Sequence, residues 1–292
     1  MIYDIRQMMT CTYASPVSHA RHMLRLMPIH RSGQRVHVSA LHIVPEPLQR
    51  REGQDFFGNR LTSILLEDAH DKLTVKVSAR VGVDAIAAIS SSGTPAWETV
   101  REEVFATIDV GPISPAHFLF PSRLVSLDPE IREYTRESFS SRRPILEAGI
   151  ELMRRIKTDL VYEIGATTVT TTPPMSFALR RGVCQDFAHI MISGLRGIGL
   201  PAAYVSGYLR TVPRPGEARL QGVDAMHAWV LMWCGSQAGW IGLDPTNDIL
   251  ASDEHVVLAV GRDYTDVAPI DGVIMVSGGQ RVDVSVSVMP LP

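Results

Sequence analysis

A chain of 292 residues, 45% of them hydrophobic and 20% charged, is long enough for two domains and buries a core without covalent staples. Its 28 basic and 31 acidic side chains leave a net charge of -3, which argues against a bulk electrostatic grip on nucleic acid or an anionic membrane. Three cysteines, at 11, 184 and 234, cannot pair completely and form no Cys-x-x-Cys, which excludes a disulfide scaffold and a sequence-local zinc knuckle.

The first residues, Met1-Ile2-Tyr3-Asp4-Ile5-Arg6, carry charge where a secretory leader needs an apolar stretch. Apolar runs fall far below the roughly 20 residues of a membrane span, so a cytoplasmic protein without membrane contact is expected. Residues 1–110 mostly alternate short β-rich runs with turn signals. Residues 36–44 end at Pro45 and Pro47, Gly58-Asn59 opens a turn before residues 61–66, and residues 73–81 alternate with period two. Strands at this spacing predict a β-sandwich domain. Its five histidines between His19 and His42 sit singly among arginines and strand residues, and read as surface or pairing histidines rather than a metal site.

Prolines at 112, 115, 121 and 129 make residues 111–130 a linker. Helical signals follow, and residues 131–292 are read as an α+β core with C-terminal strands. Asp128-Pro129-Glu130 offers a cap, a first-turn proline and an acidic first turn. Ile145, Ala148, Leu152 and Ile156 recur at helical steps, whereas the threonine-rich residues 166–174 read as an extended loop or strand.

The chemistry concentrates downstream. Gly182 breaks the chain before Cys184, and Phe187, Ile190, Met191 and Leu195 form one helical stripe behind it. A thiol on a helix's first turn meets unpaired amide donors and the positive end of the dipole, both of which favour thiolate. In residues 225–233, alternation puts His227, Trp229, Leu231 and Trp233 on one face, and a turn leads into Trp240-Ile241-Gly242-Leu243-Asp244-Pro245. A two-residue hairpin loop at Gly235-Ser236 would set His227 directly opposite Asp244. The imidazole would then join the carboxylate on one side and a thiol on the other, the logic of nucleophile, base and orienter.

Three motifs resemble the core of the bacterial transglutaminase-like superfamily, whose members are often described as predicted cysteine proteases: Gly182-Val183-Cys184-Gln185-Asp186-Phe187-Ala188, Met226-His227-Ala228-Trp229-Val230 and Gly242-Leu243-Asp244-Pro245-Thr246-Asn247. Gly261-Arg262-Asp263-Tyr264-Thr265-Asp266-Val267 is similar to a C-terminal loop of the same subgroup, and the early β-rich segment resembles its N-terminal domain. The resemblance implies a papain-like α+β core, with a nucleophile helix on an antiparallel sheet, behind an N-terminal β-sandwich. It implies Cys184 as nucleophile, His227 as base and acid, and Asp244 as orienter. Tyr162 is a candidate oxyanion donor; Asp186, Trp229, Arg262, Asp263 and Tyr264 are candidates for the substrate cleft.

The implied substrate is a peptide or protein amide, with no cofactor, no metal and no nucleic-acid partner. The calcium that some animal relatives need meets no ligand-rich acidic loop here. Arylamine N-acetyltransferases share Cys, His and Asp, but no phosphate-binding loop supports that alternative. A non-catalytic binding scaffold is the other alternative, and the intact Cys-His-Asp set argues against it.

Overall fold

Period-two burial organises the first 83 residues into strands β1 (Ile2–Val17), β2 (His19–Leu24), β3 (Gln34–Val44), β4 (Gln49–Gln54), β5 (Arg60–Leu66) and β6 (His70–Val83). Along β1, Tyr3, Ile5, Met9, Cys11 and Tyr13 face inward between outward Arg6, Met8 and Thr12, as a strand buried on one face requires. The computed structural model describes residues 1–85, 89–210, 225–275 and 277–291. Helices α1 (Trp97–Phe105), α2 (Pro129–Arg136) and α3 (Ile145–Asp159) follow, then β7 (Val161–Tyr162), α4 (Pro173–Leu179), β8 (Arg181–Gly182) and α5 (Cys184–Gly197). The last elements are β9 (Ala202–Leu209), β10 (Ala225–Trp233), β11 (Trp240–Asp244), β12 (Ile249–Leu250), β13 (His255–Gly261), α6 (Tyr264–Val267), β14 (Ile270–Met275) and β15 (Gln280–Leu291). Among the described residues no helix is long and apolar enough to cross a membrane.

Two antiparallel sheets, ordered β15-β1-β6-β3 and β14-β2-β5-β4, form the sandwich, with Met9, Tyr13, Leu24, Ile64, Leu66 and Val75 in the core between them. The final strands β14 and β15 were expected with the core, but they pair with β2 and β1 instead. Alternation shows that a segment is a strand; it carries no information about which sheet will accept it. A second difference is α1, inside the stretch expected to be β-rich. Its Val100 and Val104 bury against the helical core, not against the sandwich.

The core sheet runs β12-β11-β10-β9-β13, antiparallel throughout, with α5 packed across it. Apart from its half-buried first residue, α5 is buried along almost its whole length, between the sheet and α2, α3 and α4. Predicted starts at Asp128-Pro129 and near residue 145 are found: the Asp128 carboxylate accepts the Glu130 and Ile131 amides at 2.9 and 3.0 Å. The threonine-rich stretch is a loop that Pro173 turns into the short α4.

β13 is an edge strand of the core, and the sandwich covers it with two buried amide side chains. Gln34 donates to the Val257 carbonyl and accepts its N–H, each at 2.8 Å. Asn59 donates to the Val260 carbonyl at 2.8 Å and accepts the Val260 N–H at 2.7 Å. Each amide presents one donor and one acceptor, as a neighbouring strand would. Gly58, at φ 81°, makes the turn that aims Asn59.

Candidate active site

The chain reaches α5 extended, and Gly182 is dictated by what packs on it. A Cβ there would stand 2.6 Å from Asp186 Oδ2 and 2.7 Å from the Asp186 Cβ. Asp186, on the helix's first turn, folds back so that Oδ2 accepts the Val183 N–H at 2.8 Å and the Thr167 hydroxyl at 2.6 Å. This is half of a capping box, because the Val183 side chain has no acceptor. Asp186 Oδ1 is buried without a protein partner, and burial raises the carboxyl's pKa against the pull of its donors. The half-buried Cys184 opens the helix, where main-chain N–H groups lack intrahelical partners.

The hairpin that carries His227 and Asp244 has a longer loop than expected. Trp233 pairs with Trp240 and Val230 with Leu243, a register shifted by two residues from that of a Gly235-Ser236 turn. Gly235 and Gly239, at φ 93° and 67°, build the wider loop, which the Cys234 N–H closes onto the Gly239 carbonyl at 2.8 Å. A shift of two leaves every side chain on its original face. His227 and Asp244 therefore share a face diagonally, and still meet.

His227 Nε2 donates to Asp244 Oδ2 at 2.8 Å. With Nε2 on Asp244, Nδ1 remains for the Cys184 thiol, which lies near enough to act on the charge of the ring. Burial alone would push the His227 pKa down, but the hydrogen bonds and charges of Asp244 and Cys184 outweigh it and raise it to about 10. Asp244 is 0% exposed. Its Oδ2 also accepts Asn247 Nδ2 at 2.8 Å and His255 Nε2 at 3.2 Å, and Oδ1 accepts the Thr246 and Asn247 amides at 3.0 and 3.2 Å. Burial would raise this carboxyl; hydrogen bonds from His227, His255 and Asn247 hold it well below the usual carboxylate range.

Ligating atoms of His227, Asp244 and His255 all lie within 4.8 Å of one another, the spacing a metal ion needs. These are the atoms already joined by hydrogen bonds, and Oδ2 is saturated by three donors. A cation would have to displace the protons that link them.

The remaining candidates divide by burial. The parallel bridge between β7 and β8 sets Tyr162 opposite Gly182, two residues from Cys184. Tyr162 is 46% exposed with its ring edge on Phe187, and burial followed by the charge of Cys184 raises its pKa. Trp229 does not line a cleft. It is 1% exposed, stacked on the His227 ring at 6.1 Å and edge-on to His255 at 5.0 Å, because its position on β10 faces the packed interior. Asp263 is buried too: it accepts the Leu124 and Thr265 amides, each at 2.8 Å, and so caps α6. Tyr264 is partly buried, and its N–H donates to His189 Nε2 at 3.2 Å.

Arg262 pairs with Asp266 at 2.8 Å, while its carbonyl accepts from buried Arg196 at 2.6 Å. It lines a cavity of about 610 Å³ together with Phe57, His117 and Phe120, whose walls do not include Cys184, His227 or Asp244. Sequence reasoning missed His255 altogether and gave Asn247 no role. Asn247 lies within the Asp244 motif, three residues on, where an Asx-type turn brings a side chain back to the carboxylate. His255 is a lone histidine before an apolar strand, with no local signal.

Comparison with known proteins places the chain by its sequence and its fold. Residues 3–82 match the bacterial transglutaminase-like N-terminal region, and residues 132–245 match the transglutaminase-like superfamily. An uncharacterized protein of Mycobacterium tuberculosis is 37% identical over 279 residues, covering 91% of this chain and 85% of that protein. A protein-glutamine gamma-glutamyltransferase of Pseudomonas aeruginosa is 38% identical over 99 residues, 32% of this chain and 15% of its own length. A crystal structure from Cytophaga hutchinsonii, described provisionally as a cysteine protease, shares the fold with a TM-score of 0.73 at 20% identity, over 100% of this chain and 92% of that one.

Proposed function

Since the chain belongs to the transglutaminase-like superfamily, we propose that it is a thiol enzyme that cleaves or transfers amide bonds of peptides or proteins through an acyl-enzyme on Cys184. One observation carries the reading: a half-buried thiol opens α5 close enough to His227 for its charge to act on the imidazole, which Asp244 holds at 2.8 Å. The Cys184 thiolate attacks the carbonyl carbon, and the carbonyl π pair moves onto oxygen. The Cys184 main-chain N–H and the Tyr162 hydroxyl are the candidate donors to that oxyanion. Collapse breaks the C–N bond, and the His227 imidazolium gives its proton to the leaving amine. The now neutral His227 takes a proton from water or from an amine, which attacks the thioester; the C–S bond breaks and the thiolate returns. Asp244 keeps the ring oriented and stays ionised throughout.

The sandwich, built from residues 1–83 with β14 and β15, contributes no catalytic group in this reading. It braces β13, the strand that delivers His255, through Gln34 and Asn59. Free thiols at Cys11, Cys184 and Cys234 suit a reducing, cytoplasmic setting. The test is a thiol-directed probe followed by a peptide library, with and without a primary amine acceptor. Labelling and turnover should both vanish in Cys184→Ala; turnover that survives this substitution overturns the assignment.

A further inference from the structure

Asp244 serves two histidines, not one. His255, the first residue of β13, is buried beneath the edge of Trp229, with its ring 6.3 Å from that of His227. Its Nδ1 accepts the Ser252 N–H at 3.4 Å. A ring nitrogen that accepts carries no proton, so a neutral His255 holds its proton on Nε2, which faces Asp244 Oδ2 at 3.2 Å. Among the described residues, the charged and titratable groups around it are Asp244 on β11, His227 on β10 and, along its own turn, Asp253 and Glu254, the latter paired with Arg210 at 3.4 Å. Only one of these, Asp244, accepts from His255 Nε2.

We infer that His255 is a positioning residue: a neutral N–H donor that fixes the Asp244 carboxylate, takes up part of its charge and so limits how tightly His227 holds its proton. This rests on the proposed pairing of His227 with Cys184. The charge on Oδ2 is divided among three donors. With one donor removed, more of it is available to the imidazolium, and the thiolate–imidazolium pair should persist to higher pH.

Alkylation of Cys184 by iodoacetamide across pH reads this pair without any substrate. In the wild-type protein the rate should rise in two steps, as the thiolate forms beside imidazolium and then as His227 loses its proton. His255→Phe keeps the ring and removes the donor, and should move the second step up by roughly half a pH unit or more. His255→Gln restores an N–H donor and should return the step toward its wild-type position. A change in packing alone would lower the melting temperature without moving that step. Nitrogen chemical shifts of the wild-type His255 ring, which need no variant to fold, should report the Nε2–H tautomer at neutral pH.

A second step that stays put in His255→Phe, or a His255 protonated on Nδ1, overturns the inference. A wild-type Cys184 that shows a single step and reacts no faster than Cys11 instead overturns the underlying thiol assignment, while the tautomer measurement still reports the contact with Asp244.

Discussion

Replacing Asp244 by Asn keeps the shape of the side chain and inverts half of its hydrogen bonding. Among the described residues the carboxylate accepts five hydrogen bonds, three on Oδ2 and two on Oδ1. An amide oxygen placed at Oδ1 keeps the Thr246 and Asn247 main-chain donors, but its NH2 then points at His227, His255 and Asn247. Rotating the amide moves the conflict to the two main-chain groups. Each buried polar group left facing a like group costs about 1–3 kcal/mol, and changes of tautomer at both histidines relieve part of that. A net loss on the order of 3 kcal/mol is expected. The tautomer change is itself harmful, because a His227 that accepts from the amide on Nε2 carries its proton on Nδ1, towards the thiol. Turnover should therefore fall by roughly 10²- to 10⁴-fold.

The pH dependence has a definite sign. Asp244 titrates below its unfolded value of about 3.9, so its contribution is complete above that pH and is lost as pH falls through the folded value. The gap in stability between wild type and Asp244→Asn should be widest at neutral pH and close below about pH 4. Urea unfolding across this range, with turnover at pH 7, checks both halves. An Asn variant with near-full turnover, or with wild-type stability at pH 7, would refute the reasoning.

Cys184 should react far faster with limiting iodoacetamide at neutral pH than Cys11 or Cys234, since burial raises the pKa of both and carries Cys234 to about 12; equal labelling by mass spectrometry would contradict this. Gln34→Leu and Asn59→Leu each strip a donor and an acceptor from Val257 or Val260, and should cost about 1–3 kcal/mol in urea titrations while leaving Cys184 alkylation unchanged. Gly182→Ala puts a methyl 2.6 Å from Asp186 Oδ2, and should displace the carboxylate, release the Val183 N–H and slow Cys184 labelling; unchanged labelling and melting would show that Asp186 has room to yield.

What the sequence discloses about the site is mostly local. Gly182 followed by an apolar stripe marks the start of α5 because both signals act within a few residues of Cys184. Period two keeps His227 and Asp244 on one face under any even shift of register, which is why an expected two-residue loop and the observed wider one bring the same pair together. Conclusions that depended on exposure fared differently. Trp229 and Asp263 are residue types that suit a cleft, yet one fills the interior beside His227 and the other caps α6.

His255 marks where local reasoning stops. Its neighbours Asp253 and Glu254 make no recognisable motif with it, and it reaches Asp244 only because the chain crosses from β12 to β13, at the opposite edge of the sheet. The same crossing exposes the edge that Gln34 and Asn59 cover, each more than 200 residues away in sequence. The second histidine at the carboxylate and the docking of the sandwich on the core thus have one origin in the placement of β13. Strand alternation reports that β13 exists; only the packed sheet reports where it goes.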